Sequence, residues 1–175
     1  WLTAHHLVNK RTEQQLASII YQFGEEPKAN QVAKIIVKSR PINSCSELAK
    51  VVARAAGSSA RRRIHPATKT FQALRIAVND ELDNIKTGLN QAVKILRKGG
   101  KLVAISYHSL EDRLVKQFMS YEASECVCPP RTPICVCNHI PTLKLDPHRS
   151  ATPSKHEIGM NWRARSARLR VAERI

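Results

Sequence analysis

Two sets of residues in this sequence have types and spacing that could do chemistry. The first is Cys126-Val127-Cys128 and Cys135-Val136-Cys137, two CxC pairs separated by six residues. Four thiolates can hold a zinc ion in a tetrahedron, so Cys126, Cys128, Cys135 and Cys137 form a candidate structural zinc site. Free thiols and disulfides are the alternatives, and a cytosolic setting disfavours disulfides. The usual knuckle is CxxC, one residue longer; His139 is a substitute ligand. Cys45 stands alone and reads as a small buried hydrophobe. The second set is polar. His65, Thr68, Lys69, Thr70, Gln72 and Arg75 gather in HPATKTFQALR, and Ser106, His108 and Ser109 follow the apolar run Leu102–Ile105. Residues of this kind at a helix N-terminus suit an anion, because the first N–H groups are unpaired there. Phe71 could stack on a base or pack in a core. Arg61, Arg62 and Arg63 are either phosphate contacts or a solvated loop.

The elements that must position these residues are read from periodicity. Phe71, Leu74, Val78, Leu82, Ile85, Leu89, Val93 and Leu96 recur every three or four positions, which predicts one helix from Ala67 to Lys98. Thr68 is the expected N-cap. Gly99-Gly100 is the expected stop. Leu102–Ile105 has no polar interruption, so it reads as a strand buried on both faces, as a parallel sheet requires. A second helix is expected from Leu110 to Met119, capped by Ser109, with Glu111 and Asp112 in its first turn. Helix, strand, polar loop, helix is one unit of a doubly wound α/β sheet, whose ligands bind outside the carboxyl ends of the strands. On that reading Ser106, His108 and Ser109 lie at a site. Otherwise they are only structural.

Residues 1–56 predict three short helices on the apolar faces Leu16/Ile19/Ile20/Phe23, Val32/Ile35/Ile36 and Leu48/Val51/Val52, with Ser44 or Ser46 as the cap of the third and Glu47 spaced from Ser44 as a capping box requires. Residues 122–160 break the pattern, with Pro129, Pro130, Pro133, Pro141, Pro147 and Pro153 beside the cysteines. Thr142–Leu145 and Ala167–Ala172 are candidate strands; Arg163, Arg165, Arg168 and Arg170 make a basic strip that touches phosphates or solvates an edge. The expected organisation is a helical insert subdomain at 1–64 and an α/β domain at 65–175, carrying the Pro/Cys-rich loop.

With 29 Lys and Arg against 14 Asp and Glu, the net charge is +15. A charge of that size favours a polyanion, and nucleic acid is the usual one. No apolar run approaches the roughly 20 residues of a membrane span, and there is no signal-peptide pattern.

HPATKTFQALRIAVNDEL and GGKLVAISYHSLEDRLVKQFM resemble the signature segments of the MraW/RsmH family, and YQFGEEPKANQVAKIIV and RARSARLRVAERI are similar to further segments of it. The resemblance covers nearly the whole chain. It implies a cytoplasmic enzyme that transfers a methyl group from S-adenosylmethionine to N4 of a cytidine in small-subunit ribosomal RNA. The partner it implies is that RNA or the assembling small ribosomal subunit. It also implies the C-terminal part of a Rossmann-like methyltransferase sheet beside a small helical insert. The family holds its cofactor with a Gly-rich turn after the first strand, and its catalytic acceptor follows the fourth. Neither has a counterpart here, so no catalytic or cofactor-binding residue is assigned within this chain. The chain is expected to begin inside the insert, an expectation with which Trp1 in place of Met agrees, and to be inactive alone. Ser106, His108, Ser109 and the basic residues at 61–75 are then expected on the RNA side. The cysteine segment stays outside the chemistry. Where the family has Asn-Pro before RARSA, this chain has Asn161-Trp162. The alternative is a non-catalytic basic RNA-binding module.

Overall fold

The computed structural model describes residues 2–56, 65–130, 132 and 134–175. They divide into two compact units, Trp1–Glu81 and Leu82–Ile175. The division falls seventeen residues beyond the expected boundary at 64/65, because α5 (Thr68–Asn79) packs on α2 (Glu13–Gly24) and belongs with the helices before it.

The first unit is helical: α1 (Ala4–Lys10), α2, α3 (Ala29–Lys38), α4 (Cys45–Ala56) and α5. The three helices expected in residues 1–56 form, and α1 is added to them. Its seven residues are too few to show a period, and its signal was the cap Thr3, whose hydroxyl accepts the His6 N–H at 3.1 Å. Thr12 and Gln15 close α2 in a reciprocal capping box. Ser44 and Glu47 do the same for α4, as expected, at 3.1 and 3.2 Å. The apolar faces meet in a core of Leu7, Leu16, Ile20, Val32, Ile36, Val52 and Leu74. Arg40 ties this core's rim together, its guanidinium donating to the carbonyls of Val8 and Arg11 at 2.7 and 2.5 Å. Cys45, expected to be buried, is exposed at the first position of α4. It starts a helix whose apolar stripe runs through Leu48, Val51 and Val52 instead.

Gly24 ends α2 where that helix meets α5. A Cβ there would stand 2.7 Å from the Lys69 carbonyl oxygen and 3.3 Å from the Ala73 Cβ. Backbone cannot yield as a side-chain tip can, so Gly24→Ala is expected to destabilise the helical unit by roughly 1–3 kcal/mol. Urea unfolding followed by helical circular dichroism checks this; an unchanged midpoint would mean that the helices slide apart without cost.

The helix expected over 67–98 is two. Asp80 takes the left-handed conformation (φ 50°) and separates α5 from α6 (Glu81–Ile95). Asp tolerates that region better than most residues. The apolar spacing runs across the break unchanged, Val78 to Leu82 being four residues like its neighbours, so periodicity could not reveal it. Nor does Thr68 cap α5; Ala67 holds that place without a side-chain bond.

The second unit sets α6 and α7 (Ser109–Glu122) with a three-stranded sheet of order β1-β3-β2, where β1 is Lys101–Ser106, β2 Leu143–Ala151 and β3 Arg168–Arg174. A short helix α8 (Lys155–Met160) and a 3₁₀ turn (Trp162–Ser166) lie between β2 and β3. Both pairings are antiparallel, Leu102 opposing Ala172 and Leu145 opposing the same residue from the other side. Pro147 has no N–H for a ladder, and the β2–β3 register shifts between Leu145 and Ser150. Leu89, Val93, Leu102, Val115, Met119, Leu143 and Ala172 form the core.

The expectation that β1 is buried on both faces is corrected here. Leu102 and Ser106 are buried, but Val103 and Ile105 are 53% and 57% exposed. Helix α7 covers one face of β1, and among the described residues of this unit nothing covers the other.

Candidate functional site

The structure gives His65, Lys69, Gln72 and Arg75 at the start of α5 partners within the helical unit, whereas Thr68 is exposed and the buried Thr70 hydroxyl has no hydrogen-bond partner among the described residues. His65 Nδ1 accepts the Ala67 N–H at 3.2 Å and so shapes the turn into the helix. Lys69 Nζ donates to the Glu25 carbonyl at 2.8 Å, and Gln72 Nε2 donates to the Phe23 carbonyl at 3.1 Å. Both close the carbonyls left over at the end of α2. Thr70 is buried, 1% exposed, and faces away from solvent. Arg75 forks onto Glu81 with bonds of 2.8 and 3.0 Å. Phe71 packs against the core and lines an apolar groove of about 370 Å³ with Val8, Ile42, Leu48, Leu74 and Val78. Arg61, Arg62 and Arg63 lie outside the described residues.

In the second unit, Ser106 is buried beside the Arg168 carbonyl (3.4 Å) and Asp112 Oδ1 (3.5 Å). His108, not Ser109, caps α7: its Nδ1 accepts the Glu111 N–H at 3.3 Å. Glu111 answers by accepting the Tyr107 and His108 amides at 2.8 and 3.3 Å. His108 Nε2 lies 3.2 Å from Glu111 Oε1 but off the line of a hydrogen bond. Burial pushes the Glu111 carboxyl up. The His108 side chain, the Tyr107 amide, the His108 charge and the His108 amide together outweigh it and hold the carboxyl below its usual range. A histidine in the cap position was not foreseen; the signal was Glu111 standing three residues after it.

The centre of this unit's polar network is a pair that sequence reasoning missed. Arg170 of β3 forks onto Asp112 of α7 at 2.6 and 2.9 Å, with side chains only 13% and 17% exposed. Arg168 approaches the same carboxylate at 3.9 Å. The basic strip is therefore not uniform. Arg170 is an internal anchor, while Arg165 lies 5.0 Å over the Trp162 ring.

The four cysteines of the Pro-rich loop come together. Their sulfurs all lie within 4.8 Å of one another, with separations of 3.5 Å (Cys126–Cys135), 3.4 Å (Cys135–Cys137) and 3.9 Å (Cys128–Cys135, Cys126–Cys137). Backbone amides aim at them: Val127 N at Cys137, Cys128 N at Cys126 and Val136 N at Cys128, at 3.4–3.5 Å. Amides of Val127 and His139 draw the Cys137 thiol down to about 6. His139 is not in the cluster; its ring packs edge-on to Tyr121 at 4.8 Å.

The profile of the MraW methylase family matches residues 1–175. The chain is 56% identical over 172 residues to a Ribosomal RNA small subunit methyltransferase H from Thermomicrobium roseum, covering 97% of this chain and 52% of that protein. It is 51% identical over 174 residues to the protein of that name from Dehalococcoides mccartyi, covering 99% and 50%. For Carboxydothermus hydrogenoformans the identity is 48%, over 99% and 57%. The chain thus spans about half the length of the curated relatives it matches.

Proposed function

The chain belongs to the MraW methylase family, and from that premise we propose that it is the C-terminal part of an enzyme that methylates N4 of a cytidine in small-subunit ribosomal RNA. S-adenosylmethionine is the methyl donor in this reading, and the RNA, alone or in the assembling subunit, is the partner. The observation that carries it is the similarity, at about half identity, to three relatives named as small-subunit ribosomal RNA methyltransferases. A net charge of +15 agrees with an RNA substrate. The open apolar face of β1, with Val103 and Ile105, agrees with a strand that becomes interior in a larger Rossmann-like sheet.

The chemistry is displacement at a sulfonium methyl by an amino nitrogen whose lone pair is delocalised into the ring. A hydrogen-bond acceptor on the amino group and correct positioning supply most of the rate. We assign that acceptor and the cofactor turn to no residue of this chain. What it contributes is a scaffold, with the start of α5 in the first unit and the start of α7 in the second each taken, by itself, to face RNA. Arg61, Arg62 and Arg63 belong to the same proposal. Thr70 and Ser106 act in it only from below the surface, and Arg75 through its fork with Glu81. The cysteines take no part in methyl transfer; a structural zinc ion is their fitting occupant.

Expression of the whole protein, incubation with small-subunit RNA and labelled S-adenosylmethionine, and nucleoside mass spectrometry test the reading. N4-methylcytidine is the expected product. RNA binding without any methylated cytidine would favour the non-catalytic module instead.

Lys69 gives a finer test. Its ammonium is exposed and held near the start of α5 by one carbonyl, which leaves two N–H groups for a phosphate. Lys69→Ala is expected to lower the slope of log affinity against log salt by roughly one and to weaken RNA binding most at low salt. Cofactor affinity should stay the same. An unaltered slope would remove Lys69 from the RNA surface.

A further inference from the structure

The loop from Ala123 to Thr142 joins α7 to β2, and its described residues form no helix or strand; a connection of about 20 residues of that kind is uncommon in a compact domain. Its ends are pinned. Thr142 N donates to the Glu122 carbonyl at 2.8 Å, and the Thr142 hydroxyl bonds the Glu122 carboxylate. The apolar residues Ile134, Val136 and Ile140 within it are 76%, 73% and 78% exposed. Hydrophobic burial therefore does not hold the middle of this loop, and at its centre stand four sulfur atoms.

We infer that Cys126, Cys128, Cys135 and Cys137 bind one zinc ion as a closed tetrathiolate site that holds this loop in shape. The edge of a tetrahedron with 2.3 Å zinc–sulfur bonds is about 3.8 Å, and four of the sulfur pairs stand at 3.4–3.9 Å. A disulfide would bring two sulfurs to about 2 Å. Four thiolates around one dication carry a net charge of −2, and the amides of Val127, Cys128 and Val136 point at the sulfurs that carry it. The CxC spacing makes this arrangement: in each pair the valine between the ligands sends its N–H across to a sulfur of the other pair. All-sulfur tetrahedral sites select zinc or iron. Four protein ligands leave no open position for a substrate or a water, so the site is structural. The assignment does not rest on the methyltransferase reading.

The test uses the chain as it stands, equilibrated with Zn²⁺ and desalted. Metal analysis should give one zinc per chain, and iodoacetamide should modify Cys45, which is exposed on α4, while sparing the other four. Chelation should open all five to alkylation. Cobalt in place of zinc should give the intense visible absorption of a tetrahedral thiolate site, and Cys126→Ser should lose stoichiometric metal while Cys45→Ser keeps it. Substoichiometric zinc with all five cysteines alkylated at equal rates would overturn the proposal, whatever the variants do. Stoichiometric iron in its place would overturn the identity of the metal.

Discussion

Titration of S-adenosylmethionine into this chain is expected to give no measurable heat, and the chain alone to transfer no methyl group to ribosomal RNA. A nucleoside cofactor bound at the end of a strand must approach backbone closely, and glycine in the turn after that strand permits the approach. Among the described residues no glycine stands in such a turn. Gly24 closes α2, Gly88 lies within α6, Gly159 within α8, and Gly99 (φ 80°) and Gly100 lead into β1. The turn that does follow β1 is occupied by its own bonds, with Tyr107, His108 and Glu111 capping α7. If the whole protein binds the cofactor at the micromolar level, the chain should bind it more weakly than about 1 mM, a loss of about 4 kcal/mol. Micromolar binding to the chain alone would show that a cofactor site exists within these residues.

Asp112→Asn is expected to be the most damaging conservative change in the sheet unit. The substitution keeps the shape and removes the charge that the Arg170 guanidinium grips at 2.6 and 2.9 Å. Arg170 remains ionised at any relevant pH, so a largely buried cation would be left without its counter-ion. Breaking such a pair costs about 3 kcal/mol. The effect has a pH signature. The hydrogen bond from Arg170 leads in holding the Asp112 carboxyl below its usual range; burial opposes it, and the charges of Arg170 and Arg168 and the Ser106 hydroxyl add to it. A carboxyl lowered on folding stabilises the folded state above its unfolded pKa, near 4, and loses that contribution as pH falls through the lowered value. The gap between parent and variant should therefore be constant from pH 6 to 8 and narrow as pH falls below about 4, closing only beneath the lowered value. Denaturant midpoints at pH 7 and pH 3 measure it; equal midpoints at pH 7 would reduce the pair to a surface contact.

Local features were legible in the sequence because their causes are local. The capping box of Ser44 and Glu47, the end of α2 before Pro27 and the alternating strand expected at Ala167–Ala172, observed at Arg168–Arg174, each depend on residues within a few positions. The four cysteines were legible as a set, since two CxC pairs in a Pro-rich segment leave few other partners. The family, too, could be read from segment resemblance. Only the tertiary structure decided what depends on distant residues. It decided that the stripe from Phe71 to Leu96 is two helices, because one left-handed Asp80 interrupts the helix without altering a spacing. It decided that the Asp112 carboxylate faces Arg170, 58 residues away, while Arg75 turns to Glu81. It gave the apolar run Leu102–Ile105 one covered face and an antiparallel partner. Residue types state which groups can pair. Which of them do is settled by packing, where burial makes each unpaired charge and each unfilled backbone bond costly.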